Sequence, residues 1–307
     1  MKELYSVADI TKQAVHKYKH RKTHIQNISE MVINECNKIR HKHKRMSCRK
    51  MFVRAKARVP VGRDLFEQIG FANGFKLQVI RSKKKTTWAT KLAVFDNQLE
   101  GKTLNGINQA MQSDIFYFDV EGKAYYGISI IDVYSRRLLA LHVSKTLRAE
   151  QNIIALKRVI TERNIQSING CIFHSDRGSQ YISSAQIKIL EELKMIPSMC
   201  KLPQENAYAE RVQGTIKQEY LDPESITEKN LQKKIKKIMW LYNNERPHTN
   251  LGNKSPVEFE EFINKLSPES REQLTVYKWS HPLLTKSPLM NKKEKSSKKE
   301  KSQQQIN

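Results

Sequence analysis

Cysteine is scarce in this chain and follows no pattern. Cys36, Cys48, Cys171 and Cys200 are scattered, with no Cys-x-x-Cys pair and no spacing that suggests a disulfide scaffold, so a reducing, cytosolic setting is expected. Long hydrophobic runs are missing too. No apolar stretch reaches the ~18 residues of a spanning helix, and the charged opening Met1-Lys2-Glu3 lacks the apolar core of a signal peptide. The expected location is therefore the cytoplasm, with no membrane partner. Acidic residues are the third shortage: 31 Asp+Glu stand against 55 Lys+Arg, a formal charge of +24. Basic groups placed near phosphates release condensed counterions, so a polyanion is the leading expected partner, and association with the nucleoid follows.

The charge is unevenly spread. Residues 1–100 carry 23 Lys+Arg against 8 Asp+Glu, residues 101–262 carry 22 against 19, and residues 263–307 carry 10 against 4. A nearly neutral middle between basic flanks suits an acidic site held between segments that grip a polyanion. A length of 307 residues allows about two domains.

Periodicity divides the chain into five parts. Residues 1–21 read as a partial helix-turn-helix, with Thr11 capping a helix that carries Ala14, Val15 and Tyr18. Residues 22–75 read as a basic helical domain: Ile25, Ile28, Val32, Cys36 and Ile39 form its apolar stripe, and Gly70 closes a short helix begun at Gly62. Residues 76–108 read as a linker containing the basic run at Lys83, Lys84 and Lys85. Residues 109–262 form the chemical core, and residues 263–307 read as a basic, mostly disordered tail.

The core has an α/β pattern. Asp114–Val120, Ala124–Ile131 and Leu138–Val143 are rich in aromatic and β-branched residues and are separated by turns at Glu121-Gly122 and Tyr134–Arg137, which predicts three antiparallel strands. A helix bearing Ile153, Leu156 and Ile160 follows. A strand over 170–174, a helix over 184–193, a strand over 196–199 and a helix over 206–220 complete a βββαβαβα order. A last amphipathic helix spans 227–244.

Three acids stand at positions suited to one centre. Asp114 opens the first strand, Asp176 follows the fourth, and Glu210 lies on a helix where Asn206, Glu210, Gly214 and Lys217 share a face. Phosphodiester chemistry needs the attacking oxygen deprotonated and the leaving oxygen stabilised, which two Mg2+ ions about 3.5–4 Å apart can do. Carboxylates suit this hard ion. Lys217 would grip phosphate from the same side as Glu210.

Five motifs carry a resemblance. Gln112-Ser113-Asp114, Asp132 to Arg136, His174 to Tyr181, Glu205 to Glu210 and Tyr242 to His248 together resemble, in this order, bacterial insertion-sequence transposases with a retroviral-integrase-like catalytic core, most nearly the second-reading-frame type. The resemblance implies a ribonuclease-H-like fold and an Asp-Asp-Glu triad at Asp114, Asp176 and Glu210, holding Mg2+ or Mn2+. It also implies the activity of a DDE-type DNA transposase: a nick at the element end, then attack of the 3′-hydroxyl on a second phosphodiester. DNA, a homo-oligomer on DNA and the first-reading-frame product are the implied partners. Candidate DNA contacts are Lys217, Arg211, Arg177 and Asn206 near the acids, Arg246 and His248 after the last helix, Lys83 to Lys85, and Arg45, Arg49 and Lys50. Two features depart from the family pattern: the 33 residues between Asp176 and Glu210 are fewer than usual, and Met111 stands where tryptophan is common.

Blander readings accompany these. A nuclease of the same fold would cleave without joining, and a DNA-binding regulator or remnant of an inactivated element would not cleave at all. Asp132 reads as a turn cap and His174 as an interior histidine. His16, His20 and His24, like Cys36, His41, His43 and Cys48, fit no structural zinc spacing. Trp240 and Tyr242 read as core.

Overall fold

The structure is a computed structural model that describes residues 11–77, 94–221 and 225–277. The basic run at Lys83 to Lys85, the first ten residues and residues 278–307 lie outside the described residues.

Helix α1 spans Lys12–Lys42, with the Thr11 hydroxyl accepting from the Ala14 amide at 3.1 Å. The sequence reading divided this stretch at residue 21. It contains neither proline nor glycine, so nothing interrupts the backbone ladder and one helix runs through. Only its second half is amphipathic: Val32, Cys36 and Ile39 are buried, whereas Ile25 is 53% exposed. Helices α2 (Cys48–Ala55) and α3 (Arg63–Ala72) close the bundle, sharing a core of Val32, Cys36, Met46, Met51 and Phe66. Gly70 does not end α3. It lies inside the helix, where an added Cβ would sit 3.0 Å from Cys48 Sγ, and the stop comes at Gly74 in the left-handed region.

The core is a five-stranded mixed sheet of β1 (Ala110–Val120), β2 (Lys123–Asp132), β3 (Leu138–Ser144), β4 (Ile172–Ser175) and β5 (Ile196–Met199). Its strand order is β3-β2-β1-β4-β5. β1, β2 and β3 are antiparallel, while β4 and β5 join in parallel. Glu121 and Gly122 both take positive φ, as a two-residue hairpin turn demands. Helices α4 (Ala149–Glu162) and α5 (Ser184–Glu192) cover one face, against Met111, Ile115 and Phe173. Helices α6 (Ala207–Thr215) and α7 (Leu231–Asn244) cover the other, against Phe116 and Phe118. The strands and helices follow the expected α/β order, with helices on both faces of one mixed sheet. A π-helical turn, Ile216–Tyr220, extends α6.

The segments expected to be linker and tail are partly packed. Leu99, Leu104 and Val276 share a small core with Ile263, the last residue of α8 (Pro256–Ile263), and Thr103–Leu104 pairs with Leu274–Thr275. Each apolar residue is isolated in sequence, and only their meeting supplies a buried surface. The helical bundle also contacts the core. Lys42, His43 and Arg54 reach Glu245, and Lys50 reaches Glu219.

Candidate active site

Strand pairing decides where the first two acids stand. β1 and β4 are parallel and pair as far as Ser113 with Ser175, the residues just before Asp114 and Asp176, and the Asp176 charge acts on Asp114. Neighbouring strands lie about 4.8 Å apart, and residues in register share a face. Asp114 accepts from the Ile115 amide at 2.8 Å, and Asp176 from the Gly178 amide at 3.0 Å.

Alternation along β1 then builds the rest. Gln112, Asp114, Phe116 and Phe118 are the even-numbered residues, and the face they share is the one beneath α6. Gln112 Oε1 accepts from the Tyr208 and Ala209 amides at 3.1 Å each, and its Nε2 donates to Glu205 O at 3.0 Å. One buried amide therefore caps α6 and fixes the helix bearing Glu210 over the strand bearing Asp114. Asn206 adds a second tie, Nδ2 donating to Ser113 O at 3.0 Å. The short loop before α6 thus still ties the start of that helix to the sheet. The Lys217 ammonium rests 5.2 Å from the centre of the Phe116 ring. That ring lies across Gly127 of β2, where an added Cβ would fall 2.7 Å from both ring Cε atoms.

The electrostatics are those of a site with too much negative charge. Burial raises the Asp114 carboxyl well above its ordinary range, and the Asp176 and Glu210 charges push it further. Burial also raises Asp176 and Glu210. Lys217 is pulled down by burial, against the attraction of Asp114. The donors fit a hard divalent cation in chemistry: all are carboxylate oxygens whose mutual repulsion a cation would relieve. Among the described residues, no three carboxylate, histidine or cysteine side chains converge as a ready-made cage. The Asp114 and Asp176 pair is the organised element, with Glu210 exposed at its margin.

Other candidates separate into internal and accessible groups. Asp132 is buried and accepts from the amides of Asn108, Tyr134 and Ser135, which makes it a turn cap. His174 is buried, Nδ1 lying 2.9 Å from Ser198 Oγ, and burial lowers it to about 4. Arg246 meets Glu219 through Nε and Nη2 at 2.8 Å each, and His248 packs edge-on against Tyr242. The geometry commits both to packing. Lys50 is bonded to Glu219 and Arg49 to Glu67. Arg45 and Arg177 stand half-buried, and Arg211 is exposed. Trp240 is 53% exposed, contrary to the core reading, because it falls on the outer face of α7, whereas Tyr242 is buried. The four cysteines are free and buried. Sequence reasoning missed the capping by Gln112, the bond of Ser113 Oγ to the buried Tyr181 hydroxyl at 2.9 Å, and the Gly127 to Phe116 contact. Only the identity of Gln112, inside a motif, was a signal for the first.

A cleft of about 700 Å³ opens on the outer side of α6. Lys50, Arg136, Tyr208, Glu210, Arg211 and Arg246 are among its walls.

The sequence reading put Asp114 at the start of the first strand; it lies inside β1, whereas Asp176 follows the end of the neighbouring β4. Residues 105–202 and residues 192–256 each match the family described as Integrase core domain. The relatives this chain resembles are proteins of bacterial insertion sequences. A Mycobacterium tuberculosis protein of element IS986/IS6110 is 28% identical over 160 residues, covering 50% of this chain and 58% of the relative. The transposase for element IS904 of Lactococcus lactis subsp. lactis is 29% identical over 160 residues, covering 50% and 62%. The transposase for element IS629 of Shigella sonnei is 27% identical over 188 residues, covering 59% and 62%. The matches thus span under two thirds of these relatives' lengths. Among solved structures, the magnesium-bound catalytic core of HTLV-2 integrase is similar over 50% of this chain and 97% of its own, at 18% identity and a TM-score of 0.41.

Proposed function

We propose that this chain is an insertion-sequence DNA transposase that cuts a phosphodiester at an element end and joins the freed 3′-hydroxyl to a second DNA phosphodiester. The observation that supports the reading is the parallel register of β1 with β4 up to Ser113 and Ser175, the residues just before Asp114 and Asp176. Asp114, Asp176 and Glu210 would hold Mg2+ or Mn2+, two ions in all. When bound, these ions activate the attacking oxygen and stabilise the leaving one.

The chain's own residues supply position and charge. Lys217 neutralises phosphate next to Asp114, held up by the Phe116 ring. Gln112 and Asn206 lock α6 to β1, so Glu210 does not drift from the aspartates. Arg177 follows Asp176 directly and Arg211 follows Glu210, which suits both to the flanking DNA backbone. The basic α1 offers an exposed first half, without packing of its own, to further phosphates. Two ends must meet in one complex, so the working form is a homo-oligomer on DNA, with the first-reading-frame product as a further partner.

The test is incubation of the purified chain with labelled duplexes made from the ends flanking its gene, with and without Mg2+, beside Asp114→Asn. Mg2+-dependent cleavage and joined products, absent in the variant, are expected. Cleavage without joining would make it a nuclease. Tight binding with no cleavage by either protein would refute the catalytic reading and favour a DNA-binding regulator.

A further inference from the structure

We propose that the cleft on the outer side of α6 binds one phosphate group of the DNA strand, with Arg136 as its receptor. The inference rests on the DNA reading above and adds a site to it.

Arg136 differs from three arginines near it. Arg137 and Arg163 pair with Glu260, and Arg246 pairs with Glu219. Arg136 makes no ion pair with a carboxylate among the described residues. Its Nη1 donates to the Val133 carbonyl, and its guanidinium lies over the Tyr208 ring, 3.9 Å from the centre. Burial pulls its pKa down, the mark of a cation taken from water without full compensation. Its backbone is unusual too. With φ at +61°, Arg136 sits in the left-handed region, where a long side chain is uncommon and strain is retained when the site uses it.

The setting shows what the guanidinium waits for. The cleft wall contains four permanent cations, Lys50, Arg136, Arg211 and Arg246, against two carboxylates, Glu210 and Glu219. Glu219 already engages Lys50 and Arg246. His248 in the same wall is held neutral, its pKa pushed to about 2 by burial and the neighbouring cations. An anion with several oxygens at one point satisfies a planar guanidinium better than a chloride or a single hydroxyl does. Glu210 lines the cleft and its charge also acts on Asp114, so a phosphate held here would be a near neighbour of the one being cut. Arg136 is therefore a positioning residue for the strand.

The experiment measures binding of the full chain to the end duplexes across a salt series. Losing one phosphate contact reduces the slope of log affinity against log salt by about 0.9. Arg136→Gln should show that smaller slope and bind about tenfold more weakly. Arg136→Lys, which keeps the charge and loses the fork, should recover only part. Arg136→Gly, relieved at the positive φ, should melt no lower than wild type and bind as poorly as the glutamine variant. A duplex in which one charged phosphate is replaced by neutral methylphosphonate should be bound equally by wild type and Arg136→Gln. If inorganic phosphate at millimolar concentration competes with the duplex as well as unlabelled DNA does, the site is one for free phosphate. Unchanged affinity and slope in a folded glycine or glutamine variant would overturn the proposal. Cleavage by wild type against Asp114→Asn, run in parallel, judges the catalytic reading separately.

Discussion

Replacing Glu219 by glutamine tests the joint that holds the helical bundle and the end of α7 to the π-helical turn. The Glu219 carboxylate accepts from Arg246 Nε, Arg246 Nη2 and Lys50 Nζ, each at 2.8 Å. Both members of the central pair are buried, with side-chain exposures of 9% for Glu219 and 7% for Arg246. Removing one partner leaves the Arg246 charge buried and unanswered, a loss of about 3–5 kcal/mol. Lys50 adds little, since it is partly exposed and can turn to water. For a protein of this size each kcal/mol moves Tm by about 2–4 °C, so a fall of roughly 6–20 °C is expected in thermal unfolding at pH 7. Burial pushes the Glu219 pKa up, but its bonds to Arg246 and Lys50 outweigh this and hold it below the ordinary carboxylate range. The stabilisation is then complete above the unfolded value of about 4.3 and fades as pH falls through the folded one, so the gap between wild type and variant should close in acid. Replacing both Glu219 and Arg246 by methionine should recover most of the loss. A Tm change under about 2 °C, or a gap that persists in acid, would show that the pair does not carry the joint.

Three further outcomes follow from the site. In metal-free protein the carboxyls of Asp114, Asp176 and Glu210 are raised in the folded state, so stability falls as pH rises from the unfolded carboxylate range toward their folded values. Asp114→Asn should therefore melt higher than wild type at pH 8 without metal, while gaining less from added Mg2+; a lower metal-free Tm would contradict the repulsion argument. Gly127→Val drives a side chain into the Phe116 ring and should cost about 1–3 kcal/mol in denaturant unfolding, with slower DNA cleavage because Lys217 rests on that ring. Gln112→Leu should lose about 1–2 kcal/mol by leaving the Tyr208 and Ala209 amides unpaired, together with cleavage rate; unaltered stability would mean that α6 is held by its apolar face alone.

The βββαβαβα order was legible because alternating strands and amphipathic helices carry local periodicity, and β1, β2 and β3 fall within a few residues of their predicted bounds. Asp114, Asp176 and Glu210 were legible as candidates because motifs are local strings. The joining of residues 12–42 into one helix was missed, since periodicity reports where a helix is amphipathic and α1 is so only in its second half. Pairing was also beyond reach. Leu99, Leu104 and Val276 look like stray apolar residues until the chain returns to bury them together. The basic residues show the same division. Composition marks Arg136, Arg137 and Arg246 alike as cations, and only the fold gives Glu260 to Arg137, Glu219 to Arg246 and, among the described residues, no carboxylate to Arg136. The sequence by itself determined the elements, their order, the charge and the identities of the acids, because each is set by neighbours a few residues away. Tertiary structure alone decided which strands pair in which register, which charges neutralise one another and which are left facing a cleft, because those depend on contacts between residues far apart in the chain.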